Sequence, residues 1–291
     1  MSAQLLDGKV LASQLTESLK KEVAKLKATT GAVPHLVNVM IGNDASAGAY
    51  ANSQKKVAEQ IGIQYEQVNL PHNISHKELI GQITKLSRDD KVHGVLIYKP
   101  VPTQIDFHEA VQSIAVSKDL EGINPTNIGR LFLGEPAIIP CTPAAVMEHI
   151  RSTKVSLRGK DAVIVGRSDI VGKPLSLLFL QQHATVTVCH RGTSEAGHLA
   201  EHLGRADVVV AAVGKPRMIK GEWIKQGAIV IDVGINQVGD KIAGDVEFDA
   251  AVKKASFITP VPGGVGPVTV VMLMKNAIAA YKLQKEVGAA K

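Results

Sequence analysis

Cysteine is nearly absent from this chain. Its 291 residues include two, Cys141 and Cys189, far apart and without a C-x-x-C pair. That excludes a disulfide scaffold and argues against a metal knuckle, and it fits a reducing, cytoplasmic setting. Aromatic residues make up 3%, with a single Trp223, which is thin for a protein that stacks nucleic-acid bases on aromatic platforms. The basic residues are dispersed along both halves, so no nucleic-acid partner is expected. Long apolar runs are missing as well. Residues 206–213 form one of the longest, well short of the ~18 residues that cross a bilayer. The N-terminus lacks a basic stretch followed by an apolar one, so neither a signal peptide nor a membrane partner is expected. No G-x-S-x-G elbow is present, which leaves serine hydrolysis unsupported. Acidic residues are in the minority, and the net charge of +6 is read mainly as solubility, with a share free to meet an anionic ligand.

What is present is an ordinary globular balance, 45% hydrophobic and 21% charged, with length for about two domains at roughly 150 residues each. Helix and strand signals alternate. Residues 10–26 carry leucines and valines at helical spacing, and strands are expected at 36–41, 63–70 and 93–98, with helices at 47–60 and 76–86 between them. Residues 122–143 are rich in Gly, Pro and Asn and read as a linker. A second series follows: strands at 161–166, 185–189, 207–212 and 228–233, a helix at 174–182, and a long apolar helix at 268–283. The β-α-β alternation predicts an α/β protein with parallel sheets covered by helices.

One strand-to-helix junction points to a ligand. The strand Val163–Val165 runs into Gly166-Arg167-Ser168-Asp169-Ile170-Val171-Gly172-Lys173-Pro174. A glycine turn there lets the backbone approach a pyrophosphate, and the helix N-terminus offers N–H groups and a favourable dipole. The glycines are six apart, so the spacing is not G-x-G-x-x-G. The next strand ends Val188-Cys189-His190-Arg191. Where an NAD site places an acid, this chain has Arg191, with Arg167 in the glycine loop. Guanidinium groups suit a 2′-phosphate, which favours NADP over NAD; the bland alternative is a solvated charge at a strand end. The pairs His72/His76 and His198/His202 have metal-ligand spacing but no third partner, and no metal is expected. Asp232 at a strand end fits either catalysis or the capping of its own turn.

Several motifs then resemble one family: V-G-R-S-x-I-V-G-K-P at 165–174, A-T-V-T-x-C-H at 184–190, G-A-x-V-I-D-V-G-I at 227–235, G-D-V at 244–246 and T-P-V-P-G-G-V-G-P at 259–267. The chain resembles the methylenetetrahydrofolate dehydrogenase/cyclohydrolase family over nearly its whole length. The resemblance implies an N-terminal α/β substrate domain, residues 1–140 completed by a C-terminal helix at 268–291. It also implies a Rossmann-like NADP-binding domain at 141–267, with the active cleft between the two and a homodimer formed through the cofactor domains. It places NADP against Gly166, Arg167, Ser168, Ile170, Val171, His190, Arg191, Ala212, Val213, Gly214, Pro216, Gly234, Ile235 and Thr269. It places a tetrahydrofolate derivative against Tyr50, Tyr98, Lys99, Pro100, Glu121, Pro262, Gly263 and Gly264, with Tyr50, Gln54, Tyr98 and Glu121 as the catalytic set.

The departures from the family pattern cluster on the substrate side. The family's Y-x-x-x-K keeps its tyrosine as Tyr50, but the lysine position holds Gln54. Residues four apart share a helix face, whereas Lys55 and Lys56 lie about 100° or more around the helix and are poor substitutes. The Q-L-P-L-P loop reads Tyr98-Lys99-Pro100-Val101-Pro102, and the pterin-binding aspartate is Glu121. The two family reactions make different demands. Hydride transfer from the methylene bridge needs orientation more than a base. Hydrolysis of the methenyl cation needs a group to take a proton from water, and an amide cannot. The expectation is a dehydrogenase with weak or absent cyclohydrolase activity. The alternatives are a fully bifunctional enzyme, a dehydrogenase for another reduced pterin, and a non-catalytic folate- or NADP-binding regulator.

Overall fold

The computed structural model describes residues 2–42 and 45–289. In chain order the elements are β1 (Gln4–Leu5), α1 (Gly8–Thr30), β2 (His35–Ile41), α2 (Ala45–Ile61), β3 (Gln64–Leu70), α3 (His76–Arg88), β4 (Gly94–Ile97), α4 (Phe107–Gln112), α5 (Pro125–Leu133), α6 (Cys141–Ser152), β5 (Asp161–Val165), α7 (Gly172–Gln181), β6 (Thr185–Cys189), α8 (Arg191–Glu195), α9 (Leu199–Arg205), β7 (Val208–Ala211), β8 (Ile229–Asp232), β9 (Asn236–Val238), β10 (Lys241–Ala243), α10 (Phe248–Ala251), β11 (Phe257–Ile258) and α11 (Val265–Ala289). They form two compact units, Ser13–Cys141 with Val270–Lys291, and Met1–Ala12 with Thr142–Thr269.

The first unit is built on a parallel three-stranded sheet in the order β3-β2-β4. The central β2 is buried along its whole length, as expected of a parallel strand covered on both faces. Side chains alternate between faces. Val37, Val39, Ile41, Val95 and Ile97 pack against Leu79 and Ile83 of α3 and Phe107, Ala110 and Val111 of α4. The other face bears Asn38, which is fully buried and polar. Ser75 and Glu78 start α3 with a reciprocal capping box, and Asp106 caps α4; such caps contribute about 1 kcal/mol each.

Residues 122–143, expected as a linker, instead contain α5 and the start of α6. Asn124 Oδ1 accepts from the Thr126 amide at 3.0 Å, Pro125 occupies the first turn, and Gly134 closes the helix in the left-handed region at φ 84°. The Gly, Pro and Asn that suggested irregular chain are the caps at both ends of a short helix.

The second unit holds a six-stranded parallel sheet in the order β1-β11-β8-β7-β5-β6. The chain leaves β5 to one side for β6 and returns to the other side for β7, so the strand order reverses at β5. Ligands of open α/β sheets bind outside the carboxyl ends of the strands at such a reversal. The N-terminal residues, expected with the first half of the chain, lie here. β1 pairs with β11, and the Leu6 amide donates to the Ile258 carbonyl at 2.8 Å. A two-residue strand is too short for alternation to show in sequence.

Candidate functional sites

The first candidate site occupies the Asn38 face of the three-stranded sheet. α2 places Tyr50 and Gln54 one turn apart, as their spacing predicted. Gln54 is 2% exposed. Its Oε1 accepts from Asn38 Nδ2 at 3.4 Å, and the same Nδ2 donates to the Tyr65 hydroxyl at 2.8 Å. A further side-chain hydrogen bond joins Gln54 to the Tyr50 hydroxyl. The rings of Tyr50 and Tyr98 meet edge to face, 5.9 Å between centroids at 71°. Burial pushes both phenols well above their ordinary range. Tyr98 is 8% exposed, and its hydroxyl has no partner among the described residues. An unpaired buried hydroxyl is costly, so this one is suited to a ligand's polar group.

Glu121 is half-buried beside this cluster. Burial, with the neighbouring Asp119 carboxylate adding to it and Lys99 opposing it, pushes its carboxyl up to about 8. The turn that carries Glu121 is fixed from below. Asp119, 1% exposed, accepts from the amides of Gly122 and Asn124 at 3.1 and 2.7 Å and from Asn127 Nδ2 at 2.9 Å. Asn276 of α11 donates to the carbonyls of Leu120 and Ile139, both at 2.8 Å. Cys141 Sγ donates to the Leu120 carbonyl at 3.4 Å, and burial raises this thiol, which keeps it protonated. Lys99 is exposed, with its ammonium 3.8 Å from the centroid of the Phe107 ring. The Lys99-Pro100 bond is cis. Of the residues singled out in sequence, Tyr50, Gln54, Tyr98 and Glu121 are brought together. Asn38, Tyr65, Asp119 and Asn276 were missed. A lone Asn in an apolar strand was the only available signal for Asn38.

The second candidate site lies at the carboxyl ends of β5 and β7. A Cβ on Gly166 would overlap the Ala212 carbonyl oxygen, and one on Gly172 would overlap that of Gly166. Only glycine lets these backbones approach so closely. The start of α7 has no side-chain cap, and Ser168 Oγ accepts from the Val171 amide at 3.2 Å. A backbone cradle at an uncapped helix N-terminus fits a pyrophosphate. Arg167 and Arg191 are exposed nearby in sequence. Arg191 Nε pairs with Glu195 at 2.6 Å, and His190 Nδ1 accepts from the Gly192 amide at 3.2 Å.

Two buried carboxylates organise the loops beside this edge. Asp245, fully buried, accepts from the amides of Val213, Gly214 and Lys215 and from Asn236 Nδ2 at 2.6 to 3.0 Å. Asp232 accepts from the amides of Gly234, Asp245 and Val246 at 2.9 to 3.0 Å. Its carboxyl is pushed up to about 6, with burial the largest cause. Of the two roles open to Asp232, capping its own turn is the one observed. Thr269 Oγ1 donates to the Val265 carbonyl at 3.1 Å. Gly8 packs on the Gly263–Gly264 backbone, its amide donating to the Gly263 carbonyl at 2.8 Å.

Neither His pair lies within one helix. Ser75 caps α3 just before His76, which leaves His72 outside the helix, and His198 is the residue before α9. Among the described residues no group of three or more His, Cys, Asp or Glu is placed to hold a metal ion.

Comparison with known proteins gives consistent matches. Residues 6–121 match the tetrahydrofolate dehydrogenase/cyclohydrolase catalytic domain, and residues 140–285 match the NAD(P)-binding domain of the same family. The bifunctional protein FolD of Geotalea uraniireducens is 48% identical over 281 residues, covering 96% of this chain and 99% of its own. Among solved structures, the methylenetetrahydrofolate dehydrogenase-cyclohydrolase of Trypanosoma brucei, complexed with NADP and an inhibitor, is 38% identical with a TM-score of 0.93. It covers 97% of this chain and 98% of its own. The bifunctional enzyme FolD of Campylobacter jejuni is 40% identical with a TM-score of 0.93, covering 97% and 99%.

Proposed function

Because the chain belongs to the tetrahydrofolate dehydrogenase/cyclohydrolase family, we propose that it is an NADP-dependent methylenetetrahydrofolate dehydrogenase whose methenyl-hydrolysing step is weak or lost. One observation carries the second half of this reading. The helix position that faces Tyr50 holds a buried amide, Gln54, already engaged on both sides by Asn38 and Tyr50.

The residues divide the work as follows. Glu121 meets the amino-pyrimidine edge of the pterin, where an ionised carboxylate accepts two N–H bonds. Tyr98 gives its hydroxyl to the substrate, and Tyr50 lies against it. Gly166, Ser168 and the start of α7 hold the pyrophosphate, and the loop at Val213–Gly214, tied down by Asp245, faces the nicotinamide side. Arg167 and Arg191 meet the 2′-phosphate, for which Arg191 leaves its exposed pairing with Glu195. Pairs of that kind are worth little in water. Bound NADP supplies the hydride acceptor. Oxidation of the methylene bridge then needs only alignment of substrate and cofactor. Water attacking the methenyl cation must give up a proton, and neither a hydrogen-bonded amide nor a phenol held far above neutrality takes it. The family reading carries a homodimer with it, and the scarcity of cysteine supports a reducing, cytoplasmic setting.

The test is hydrolysis of supplied methenyltetrahydrofolate, without cofactor. The wild-type protein is expected to match the buffer rate within a few-fold, and Gln54→Lys to exceed it by at least tenfold. Robust wild-type hydrolysis would restore the fully bifunctional reading that the curated relatives' names favour.

A further inference from the structure

Gln54 does not sit alone in its pocket. Its amide is one link in a chain of four polar side chains on one face of the sheet, Tyr65–Asn38–Gln54–Tyr50. The four come from three elements, Tyr65 from β3, Asn38 from β2, and Gln54 and Tyr50 from α2. Asn38 is fully buried, and its Nδ2 spends both hydrogens, on the Tyr65 hydroxyl at 2.8 Å and on Gln54 Oε1 at 3.4 Å. We infer that Asn38, braced by Tyr65, is a positioning residue that fixes which way round the Gln54 amide stands, and so sets the direction of the Tyr50 hydroxyl. This inference rests on the reading of Tyr50 and Gln54 as part of the folate site.

Donors and acceptors decide the orientation. With Oε1 held by Asn38, Gln54 turns its Nε2 hydrogens toward Tyr50. The Tyr50 oxygen then accepts, and its own hydrogen is free to be given to a substrate acceptor. If the Gln54 amide were reversed, Tyr50 would give its hydrogen to Oε1 and offer the substrate lone pairs only. The two arrangements differ in cost. As it stands, one buried acceptor, Asn38 Oδ1, is without a partner among the described residues. Turning both amides around would leave a buried N–H there instead, and orphaned buried donors are rarer than under-satisfied carbonyls. An apolar residue at position 38 would hold neither orientation.

Three variants test this, each assayed for methylenetetrahydrofolate oxidation and by the side-chain amide signals of 15N-labelled protein, with the Gln54 signals assigned by their loss in Gln54→Glu. In Asn38→Leu the Gln54 amide signals are expected to shift and exchange faster with solvent, with kcat down about tenfold and KM for NADP unchanged. In Asn38→Asp the ionised carboxylate cannot donate to Oε1, so the Gln54 amide reverses. Activity is then expected to fall further and to recover as pH is lowered and the acid regains a donor hydrogen, a profile that loss of packing would not produce. Tyr65→Phe removes the brace and is expected to shift the same Gln54 signals by less than Asn38→Leu. Wild-type Gln54 signals in all three variants, or wild-type kcat with no pH-dependent recovery in Asn38→Asp, would overturn the inference. If wild type itself oxidises no methylenetetrahydrofolate, the functional reading fails, while the amide signals still decide whether Asn38 orients Gln54.

Discussion

Glu121 shows at the scale of one residue how burial and function pull apart. Its carboxyl is pushed up to about 8, chiefly by burial, so near neutrality it is mostly protonated in the absence of substrate. The proposed contact with the pterin needs the ionised form. The expected outcome is that kcat/KM for the folate rises with pH through about 8. Glu121→Gln should lack this rise and fall by roughly tenfold to a hundredfold, the size of a lost charge-assisted hydrogen bond. The sign for stability is opposite. The folded group holds its proton above the range in which the unfolded one loses it, so the wild type loses stability as pH rises from about 4.5 to 8. Thermal unfolding of Glu121→Gln should therefore be less sensitive to pH over that interval. The four altered positions, Gln54, Tyr98, Lys99 and Glu121, were legible because they interrupt recognisable motifs. Asn38, Tyr65 and Asn276 were not, because their partners lie 16 to 156 positions away, and Asp119 was not, because its nearer partners are backbone amides that no side-chain pattern reveals. A polar residue in an apolar strand signals a partner without naming it.

At the scale of elements, the strand–turn–helix from β5 to α7 is the part most directly readable. A run of apolar residues ending at glycine predicts a doubly buried strand that leaves the sheet abruptly, and β5 does so beside β7. Gly166→Ala would drive a methyl group into the Ala212 carbonyl. The expected cost is about 1–3 kcal/mol of stability from overpacking, with NADP affinity down at least tenfold; calorimetric melting and a fluorescence titration with NADPH check both. Binding and melting like the wild type would show that the two backbones can part at little cost. Helix α5 was hidden by its own punctuation, since Asn124, Pro125 and Gly134 are loop-forming residues by composition and caps by position. The Asp232–Asp245 arrangement was half-legible. The strand-end acid was visible, but the second carboxylate, which ties down residues 213–215, lies about thirty positions from them.

At the scale of the molecule, sequence order and spatial grouping differ. The first dozen residues join the unit formed by the second half of the chain, while α11 contributes most of its length to the unit formed by the first half. The motif resemblance implied that the C-terminal helix completes the first domain, but no motif announces the crossing of the N-terminal residues. β1 is two residues long, and an apolar helix such as α11 is consistent with burial in any core. Among the described residues no helix is long and apolar enough to cross a membrane. The two reactions associated with the family place separable demands on one chain, and in the proposed reading this chain keeps the groups that orient a hydride transfer while the buried amide of Gln54 replaces the proton acceptor of the second step. The most direct measurement follows both absorbances in one cuvette as methylenetetrahydrofolate is oxidised with NADP. The methenyl product is expected to accumulate in step with NADPH and to decay only at the buffer rate. NADPH formation with no build-up of the methenyl species would show that the hydrolytic step is intact.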